Sequence, residues 1–484
     1  MLGRVPAAEV AVTDRTAPVL DGDSALDVDV VVVGGGPAGE NAAGRCGQAG
    51  LRVALVEREL IGGECSYWGC MPSKVLIRPG DVLAAVRRVP GAADAVTGGL
   101  ALAAVLARRD VATGHWDDSG QLPWLAERGV TVLRGHGRVA GERTVSVEYA
   151  DGTTGTVRAA KAVVLATGTR PVVPPIDGLD GADPWDNRTA TATKDIPARL
   201  LVLGGGAIGA ELAQAFRRLG SAEVTVLEGG ERLVTREEPF AGAELAAAFV
   251  AEGISVRTGA RVVAVRRAGD GAVTATLADG DTVTGDQILV AVGRRPATGD
   301  LGLDTVGLTP GGPVEVDDEL RVAGTDWLYA IGDCNGRSLL THMGKYQARI
   351  AADVIGGRPA RDRADHGIVP RVTFTDPQVC AVGLTEEDAR AGGHEVRCVE
   401  VPTGSVAGAW VQGEGFAGTS KLVVDERRRV LLGATFTGPG VQELLHSATV
   451  AIAGEVPLET LWHAVPSFPT VSEVWLRLLE EYGL

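Results

Sequence analysis

Apolar residues fall in short runs along this chain, and two of those runs open the same pattern. Val28-Asp29-Val30-Val31-Val32-Val33 has the length and β-branched content of a buried strand. Gly34-Gly35-Gly36-Pro37-Ala38-Gly39 follows, then an alanine-rich helical stretch to Gly50, then a second strand from Arg52 to Val56 that ends on Glu57. This is a βαβ unit of dinucleotide-binding type. Gly34, Gly36 and Gly39 let turn and helix approach a pyrophosphate, and the acid about twenty residues on meets a ribose hydroxyl pair. The pattern recurs from Arg199 to Leu203, through Gly204, Gly206 and Gly209 and a helix to Leu219, to a strand from Glu223 to Leu227 closed by Glu228. Here Gly229 and Gly230 stand where an arginine would receive a 2′-phosphate, so the pattern predicts NADH in preference to NADPH.

Two further strand-like runs, Ala162 to Gly168 and Gln287 to Gly293, read as the returns of each sheet, with Pro171 to Pro175 and Arg294-Arg295-Pro296 marking the crossings between units. A helix is expected from near Thr341, and from about His366 strands (Arg371 to Thr375, Lys421 to Val424) mix with helices. The expected fold is α/β, with two Rossmann-like dinucleotide-binding domains and an α+β C-terminal domain. Its expected boundaries are 28–174 for the first domain, 175–298 for the second, 299–366 for a central return to the first, and 367–484 for the last.

Composition narrows the classes. A chain of 484 residues, 45% hydrophobic and 22% charged, is too long for one core and suits two to four domains. A net charge of −16 argues against nucleic acid or anionic membrane as partner. No apolar run approaches a membrane span. Residues 1–27 carry Asp14, Asp21 and Asp23 where a signal peptide needs a continuous apolar stretch, and read as a disordered polar tail. Of six cysteines only Cys65 and Cys70 are closely spaced, which fits a reducing cytoplasm better than a disulfide-stapled secreted chain.

That pair lies in Gly62-Gly63-Glu64-Cys65-Ser66-Tyr67-Trp68-Gly69-Cys70-Met71-Pro72-Ser73-Lys74. Residues five apart in a regular helix are separated by roughly 7.5 Å of rise, whereas a disulfide needs Cα atoms within about 6.8 Å. If the two bond, the backbone between them bends, with Gly69 as the permissive residue and Pro72 in the opening turn of the next helix. A zinc site is disfavoured, since no further Cys or His stands at suitable spacing, and no metal is expected. Cys334 reads as a small buried residue beside Asp333, and Cys46, Cys380 and Cys398 as packing residues.

With Ala166-Thr167-Gly168, Val292-Gly293-Arg294, Ile331-Gly332-Asp333, Thr375-Asp376-Pro377 and Val382-Gly383-Leu384-Thr385-Glu386 in the same order, the chain from Val28 onward resembles the FAD-dependent pyridine nucleotide-disulfide oxidoreductases, the family of dihydrolipoamide dehydrogenase, glutathione reductase and mercuric reductase. The resemblance implies FAD along the first unit, with Glu57 on the adenosine ribose, Asp333 near the ribityl chain, and Gly63, Gly137, Thr167 and Gly168 lining the site. It implies NAD on the second unit, with Glu228 and Gly293. The helix after Thr341 would point its N-terminus at the flavin, and His342 there either bonds the flavin or caps its helix. Cys70 would face the flavin and Cys65 would exchange with substrate, with Lys74, paired with Glu211, beside the ring. A homodimer is implied, its active sites shared between subunits.

The resemblance breaks at Pro466-Ser467-Phe468-Pro469-Thr470-Val471-Ser472-Glu473. The family's partner subunit supplies a His-Pro-Thr-x-x-Glu segment here, and this chain has Phe468 in the place of the base while keeping Glu473. A positioned acid or base contributes about 100-fold to 10,000-fold in rate, so dithiol oxidation of the dihydrolipoamide type is disfavoured. Mercuric reduction in the family uses an additional cysteine pair near the C-terminus, and no cysteine follows Cys398. The expected reaction is reduction of a small, apolar disulfide by NADH through FAD and the Cys65–Cys70 pair. Alternatives are a quinone-reducing diaphorase, a disulfide-forming oxidase, and a redox-sensing flavoprotein without turnover. Tyr67 and Trp68 either shape an aromatic pocket over the pair or fill core.

Overall fold

The computed structural model describes Leu20 and residues 25–484. The first strand, β1 (Ala25–Val33), begins three residues before Val28. Ala25, Leu26 and Asp27 pair with Thr156, Val157 and Arg158, so they belong to the sheet rather than to a tail. The remainder of the expected tail, Leu20 apart, lies outside the described residues.

The first domain is built on a seven-stranded sheet. After β1 come α1 (Pro37–Gln48), β2 (Val53–Glu57), β3 (Val130–Arg134), β4 (His136–Val139), β5 (Thr144–Glu148) and β6 (Thr154–Leu165). They lie in the order β3-β2-β1-β6-β5-β4, with Leu328–Ala330 joining β6 from the far side of the chain. Along β1 the valines alternate between two cores, Val31 and Val33 in one, Val30 and Val32 in the other. Both faces of a parallel sheet are covered, so the run is apolar without alternation.

The second domain repeats the theme in a four-stranded parallel sheet, with Arg199–Leu203 and Gln287–Val290 adjacent in it, and carries a three-stranded antiparallel sheet from Val262 to Gly285. The two crossings run side by side: Thr169–Pro171 pairs antiparallel with Arg294–Pro296, placing Arg170 opposite Arg295. The last domain is a five-stranded antiparallel sheet from Pro370 to Gly438, backed by helices whose Trp475 packs on Phe436 with ring centroids 5.6 Å apart. This is the expected mixed α/β architecture with a separate C-terminal domain. No helix among the described residues is long and apolar enough to cross a membrane.

Candidate active site

The redox segment is two helices joined by a bend. Cys65 lies in α2 (Gly63–Tyr67), and Cys70 opens α3 (Cys70–Arg87). Trp68 and Gly69 leave the helical conformation between them. Gly69 serves close approach: an added Cβ would lie 3.0 Å from the Glu64 carbonyl oxygen. The bend is held from across the domain boundary, where Asn187 Nδ2 and Thr191 Oγ1 donate to the Trp68 carbonyl at 2.9 and 3.1 Å.

Both cysteines are thiols here, within hydrogen-bonding reach of each other. The bond from Cys65 lowers the Cys70 thiol to about 6 against the opposing effect of burial, with help from the Thr341 hydroxyl 3.3 Å away and from Lys74. The same bond, together with burial, pushes Cys65 well above its ordinary value. One proton is thus shared unequally, leaving Cys70 the anionic sulfur near neutral pH. Lys74 Nζ sits 2.6 Å from Glu211 Oε2 and 4.8 Å from the Phe374 ring centroid, while Glu211 Oε1 accepts from the Phe374 amide at 2.9 Å. An ammonium is therefore fixed beside the sulfur pair.

The glycine turns form two near-identical cradles. In the first, Gly34 has φ +103°, and an added Cβ would be 2.5 Å from the Ala166 carbonyl oxygen; at Gly39 it would be 1.8 Å from the Gly34 carbonyl oxygen. In the second, Gly204 repeats φ +103° against Ala291, and Gly209 lies equally tight on Gly204. Gly36 and Gly206, at the two helix N-termini, face open space. Glu57 accepts from the Gly35 and Glu59 amides, and Glu228 from the Gly205 and Gly230 amides, each at 2.6 Å.

A cavity of about 1220 Å³ joins the first cradle to the redox pair. Its walls include Cys65, Cys70, Lys74 and Glu211, and also Glu57 and Gly137. Gly34, Gly36, Gly63, Thr167, Gly168 and Asp333 line it as well. Gly63 comes so near Gly36 that a Cβ would meet its Cα at 2.8 Å, and Gly137 packs on Val33 and Val56.

A family model described as pyridine nucleotide-disulphide oxidoreductase matches residues 28–350, and the dimerisation domain of the same family matches residues 369–478. The chain belongs to this family. It is 35% identical to dihydrolipoyl dehydrogenase 3 of Pseudomonas aeruginosa over 455 residues, covering 92% of this chain and 96% of that protein. It is 30% identical to a mercuric reductase of Staphylococcus aureus, covering 92% and 81%. Among solved structures, the Cu(II) complex of the HOCl-induced flavoprotein disulfide reductase RclA from Escherichia coli superposes with a TM-score of 0.83 at 26% identity, covering 94% of this chain and 99% of that one. This disulphide oxidoreductase is accordingly an FAD-dependent enzyme that also binds a nicotinamide nucleotide, and its dimerisation domain supports a homodimer.

The cavity of the oxidoreductase fits FAD on its own evidence. Thr167 Oγ1 is buried without a hydrogen-bond partner among the described residues, and Thr167 lines the cavity, so a polar ligand atom is wanted there. Asp333, its carboxyl pushed up by burial, accepts from Thr169 Oγ1 at 2.8 Å. Gly39 serves helix packing rather than lining.

The structure revises His342, divides Tyr67 from Trp68, and sets Phe468, Glu473 and Gly293 apart from the flavin cavity, as roles at the partner's site and on the NAD unit require. His342 neither faces the cavity nor caps its helix; its Nε2 lies 2.9 Å from the Pro370 carbonyl oxygen. Thr341 and Gly344, three apart on one helix face, line the cavity, and His342 is rotated from them toward the last domain. Tyr67 is core, its hydroxyl donating to the Ile61 carbonyl, whereas Trp68 lines the cavity with the Arg188 guanidinium 4.1 Å from its ring centroid. Phe468 and Glu473 lie outside this cavity on the dimerisation domain; Phe468 is 76% exposed and Glu473 Oε2 is buried without a hydrogen-bond partner among the described residues. Gly293, with φ +136°, also lies outside it.

A further network carried no local sequence signal. Asn187 Nδ2 also donates to Glu64 at 3.0 Å, and Asn187 Oδ1 accepts from Arg294 Nη1 at 2.9 Å. Arg294 Nε donates to Thr169 Oγ1 at 2.8 Å, and Thr169 donates in turn to Asp333. Glu64 also pairs with Arg188. A continuous hydrogen-bonded path thus runs from the bend between the cysteines to Asp333.

Proposed function

We propose that this enzyme uses NADH to reduce a small, apolar disulfide through the Cys65–Cys70 pair. The observation carrying the reading is the unequal thiol pair: an anionic Cys70 beside Lys74 and Thr341, with a protonated Cys65 next to it. Bound FAD and NADH supply the two-electron hydride route that opens the Cys65–Cys70 disulfide. Lys74, held by Glu211, balances the charge that then rests on Cys70.

Cys65 attacks one sulfur of the acceptor disulfide. A mixed disulfide forms, the acceptor bond breaks, and the departing thiolate takes the Cys65 proton. Cys70 then attacks the Cys65 sulfur of the mixed disulfide, which closes the Cys65–Cys70 disulfide and expels the second acceptor thiolate, protonated from solvent. Phe468 offers no proton carrier, so the chemistry favours an acceptor whose thiolates leave readily. Its exposed ring suits an apolar acceptor when supplied from the partner subunit. NADH preference is supported by Gly229 and Gly230 after Glu228, and by Arg232, whose guanidinium is committed to the Thr235 carbonyl at 2.9 Å.

Anaerobic titration with NADH, followed by absorbance, tests the route. Flavin reduction accompanied by a long-wavelength thiolate band supports it. Flavin bleaching without that band, with quinone turnover that survives Cys65→Ser, would replace it with a diaphorase. Flavin that NADH fails to reduce would leave a non-catalytic flavoprotein.

A further inference from the structure

Arg109 has no exposed surface, and the sulfur chemistry does not touch it. It stands on the helix Leu102–Ala112, whose Val105 shares an apolar cluster with Leu76 of α3 and Leu219 of the second domain. Burying a guanidinium is costly unless its donors are matched, and here they are matched in part. Nε donates to Asp110 Oδ1 at 2.7 Å, and Nη1 donates to the carbonyls of Thr191 and Thr193, the latter at 3.0 Å. Nη2 is buried without a hydrogen-bond partner among the described residues. The guanidinium carbon lies 5.3 Å from the Trp116 ring centroid. A well-packed apolar side chain often fills such a place at less cost, so the arginine calls for a use.

Both carbonyls lie at the end of one helix. Asn187–Ala192 has only six residues, too few to hold itself in water. Side chains fix its two ends. Asp186 accepts from the Thr189 amide at 2.9 Å at the start, and Arg109 reaches across from the first domain at the finish, where a cation suits the carbonyl end. Between these caps lie Asn187, Arg188 and Thr191, the residues that hold the bend around Trp68. Thr191 makes the shortest link: its carbonyl accepts from Arg109, and its hydroxyl donates to the Trp68 carbonyl at 3.1 Å. One residue thus separates Arg109 from the backbone between the cysteines. The helix that carries Arg109 also packs on α3, which begins at Cys70, so it braces the bend from both sides.

We infer that Arg109 is a positioning residue: it ties the end of the helix Asn187–Ala192 to the helix packed on α3, and so keeps Cys65 and Cys70 within bonding reach of each other. The inference rests on Cys65 and Cys70 being the redox pair. Two sulfurs on either side of a helix break meet only as often as the backbone brings them together. A looser bend lowers the effective concentration of one thiol at the other. Removing Arg109 therefore makes the disulfide easier to reduce.

The test uses full-length, FAD-loaded protein as wild type, Arg109→Met and Arg109→Lys, without NADH or acceptor. Each is equilibrated anaerobically in glutathione buffers of graded potential, where two glutathione thiols become one glutathione disulfide as the Cys65–Cys70 bond opens, and free thiols are trapped by alkylation. In Arg109→Met the equilibrium constant for closing the disulfide should fall about tenfold, equivalent to a potential about 30 mV higher. Arg109→Lys keeps the charge but not the fork, and its constant should fall about threefold. A merely structural arginine gives another pattern, a lower denaturant midpoint with a closing constant equal to that of wild type. That result overturns the inference, and so does a constant that rises. If Arg109→Met does not fold, Arg109→Lys decides on the same terms. Should wild type form no Cys65–Cys70 disulfide in any buffer, the redox-pair reading falls and the inference falls with it.

Discussion

The two glycine cradles share their local geometry and differ in what surrounds them. Gly34 and Gly204 have the same φ of +103°, and Glu57 and Glu228 each close the turn by accepting a backbone N–H at 2.6 Å, from Gly35 and Gly205. The first cradle is then covered, because α2 brings Gly63 against Gly36, and the redox pair lines the same cavity. The second has no such cover; Glu228 is followed by Gly229 and Gly230, and none of Gly204, Gly206 or Gly209 lines that cavity. One turn chemistry therefore yields one turn, while enclosure comes from distant parts of the chain. A covered cradle suits a resident cofactor and an open one suits a nucleotide that comes and goes.

The largest effect should come from removing the chemistry that the cover delivers. Cys65→Ser should lower disulfide reduction by NADH at least about 100-fold, measured as acceptor thiol released, while NADH still reduces the flavin. Acceptor turnover at the wild-type rate would mean that the covering segment is structural only.

The matched glycines sharpen the contrast. At Gly39 and Gly209 an added Cβ would lie 1.8 and 2.0 Å from the carbonyl oxygens of Gly34 and Gly204, so Ala forces a backbone shift in either case. Gly39→Ala should yield protein largely devoid of flavin, read from its visible spectrum. Gly209→Ala should retain flavin and raise KM for NADH by about tenfold or more. If both variants lose flavin equally, the cradles are not functionally distinct.

What could be read along the chain is what short segments encode. Gly34 to Glu57 and Gly204 to Glu228 specify their turns within some twenty-five residues, and Cys65-x-x-x-x-Cys70 demands a bend wherever the two sulfurs meet. The Asn187 clamp on Trp68 spans 119 residues and the Thr169–Asp333 bond 164. Neither distance leaves a periodic or motif signal, because ordinary polar residues make these contacts only after both domains fold. His342 shows a subtler failure: its helix was anticipated, but a shift of one residue rotates a side chain by about 100°, enough to exchange it with Thr341. The first strand was placed three residues short because Asp27 ends its apolar run, although pairing with β6 continues back through Asp27 to Ala25.

The pH dependence of the covered site follows from the Cys70 thiol held at about 6, chiefly by the hydrogen bond from Cys65. A lowered thiol pKa means the thiolate persists above that value and is lost as pH falls through it. In the reduced enzyme the long-wavelength band should therefore fade with a midpoint near pH 6. Cys65→Ala removes the donor, and the midpoint should rise. A midpoint that stays put would assign the effect to Lys74 and the Thr341 hydroxyl instead.

The smallest effect should come from the domain boundary, and it asks whether the cover is held by its own helix or by its neighbour. Asn187 is buried and serves three partners at once: the Trp68 carbonyl, Glu64 and Arg294. Asn187→Ala leaves those groups short of a partner in a partly buried place and should cost about 1–3 kcal/mol of stability, read from a denaturant midpoint. A purely structural clamp would stop there. Because the lost bond frees the bend between the cysteines, the dithiol–disulfide midpoint potential should also move relative to wild type, while KM for NADH remains near its original value. Asn187→Gln, which keeps the amide on a longer arm, should recover part of the potential shift. A stability loss with an unchanged potential would show that α2 and α3 set the bend unaided, and that the cover of the first cradle owes nothing to the second domain.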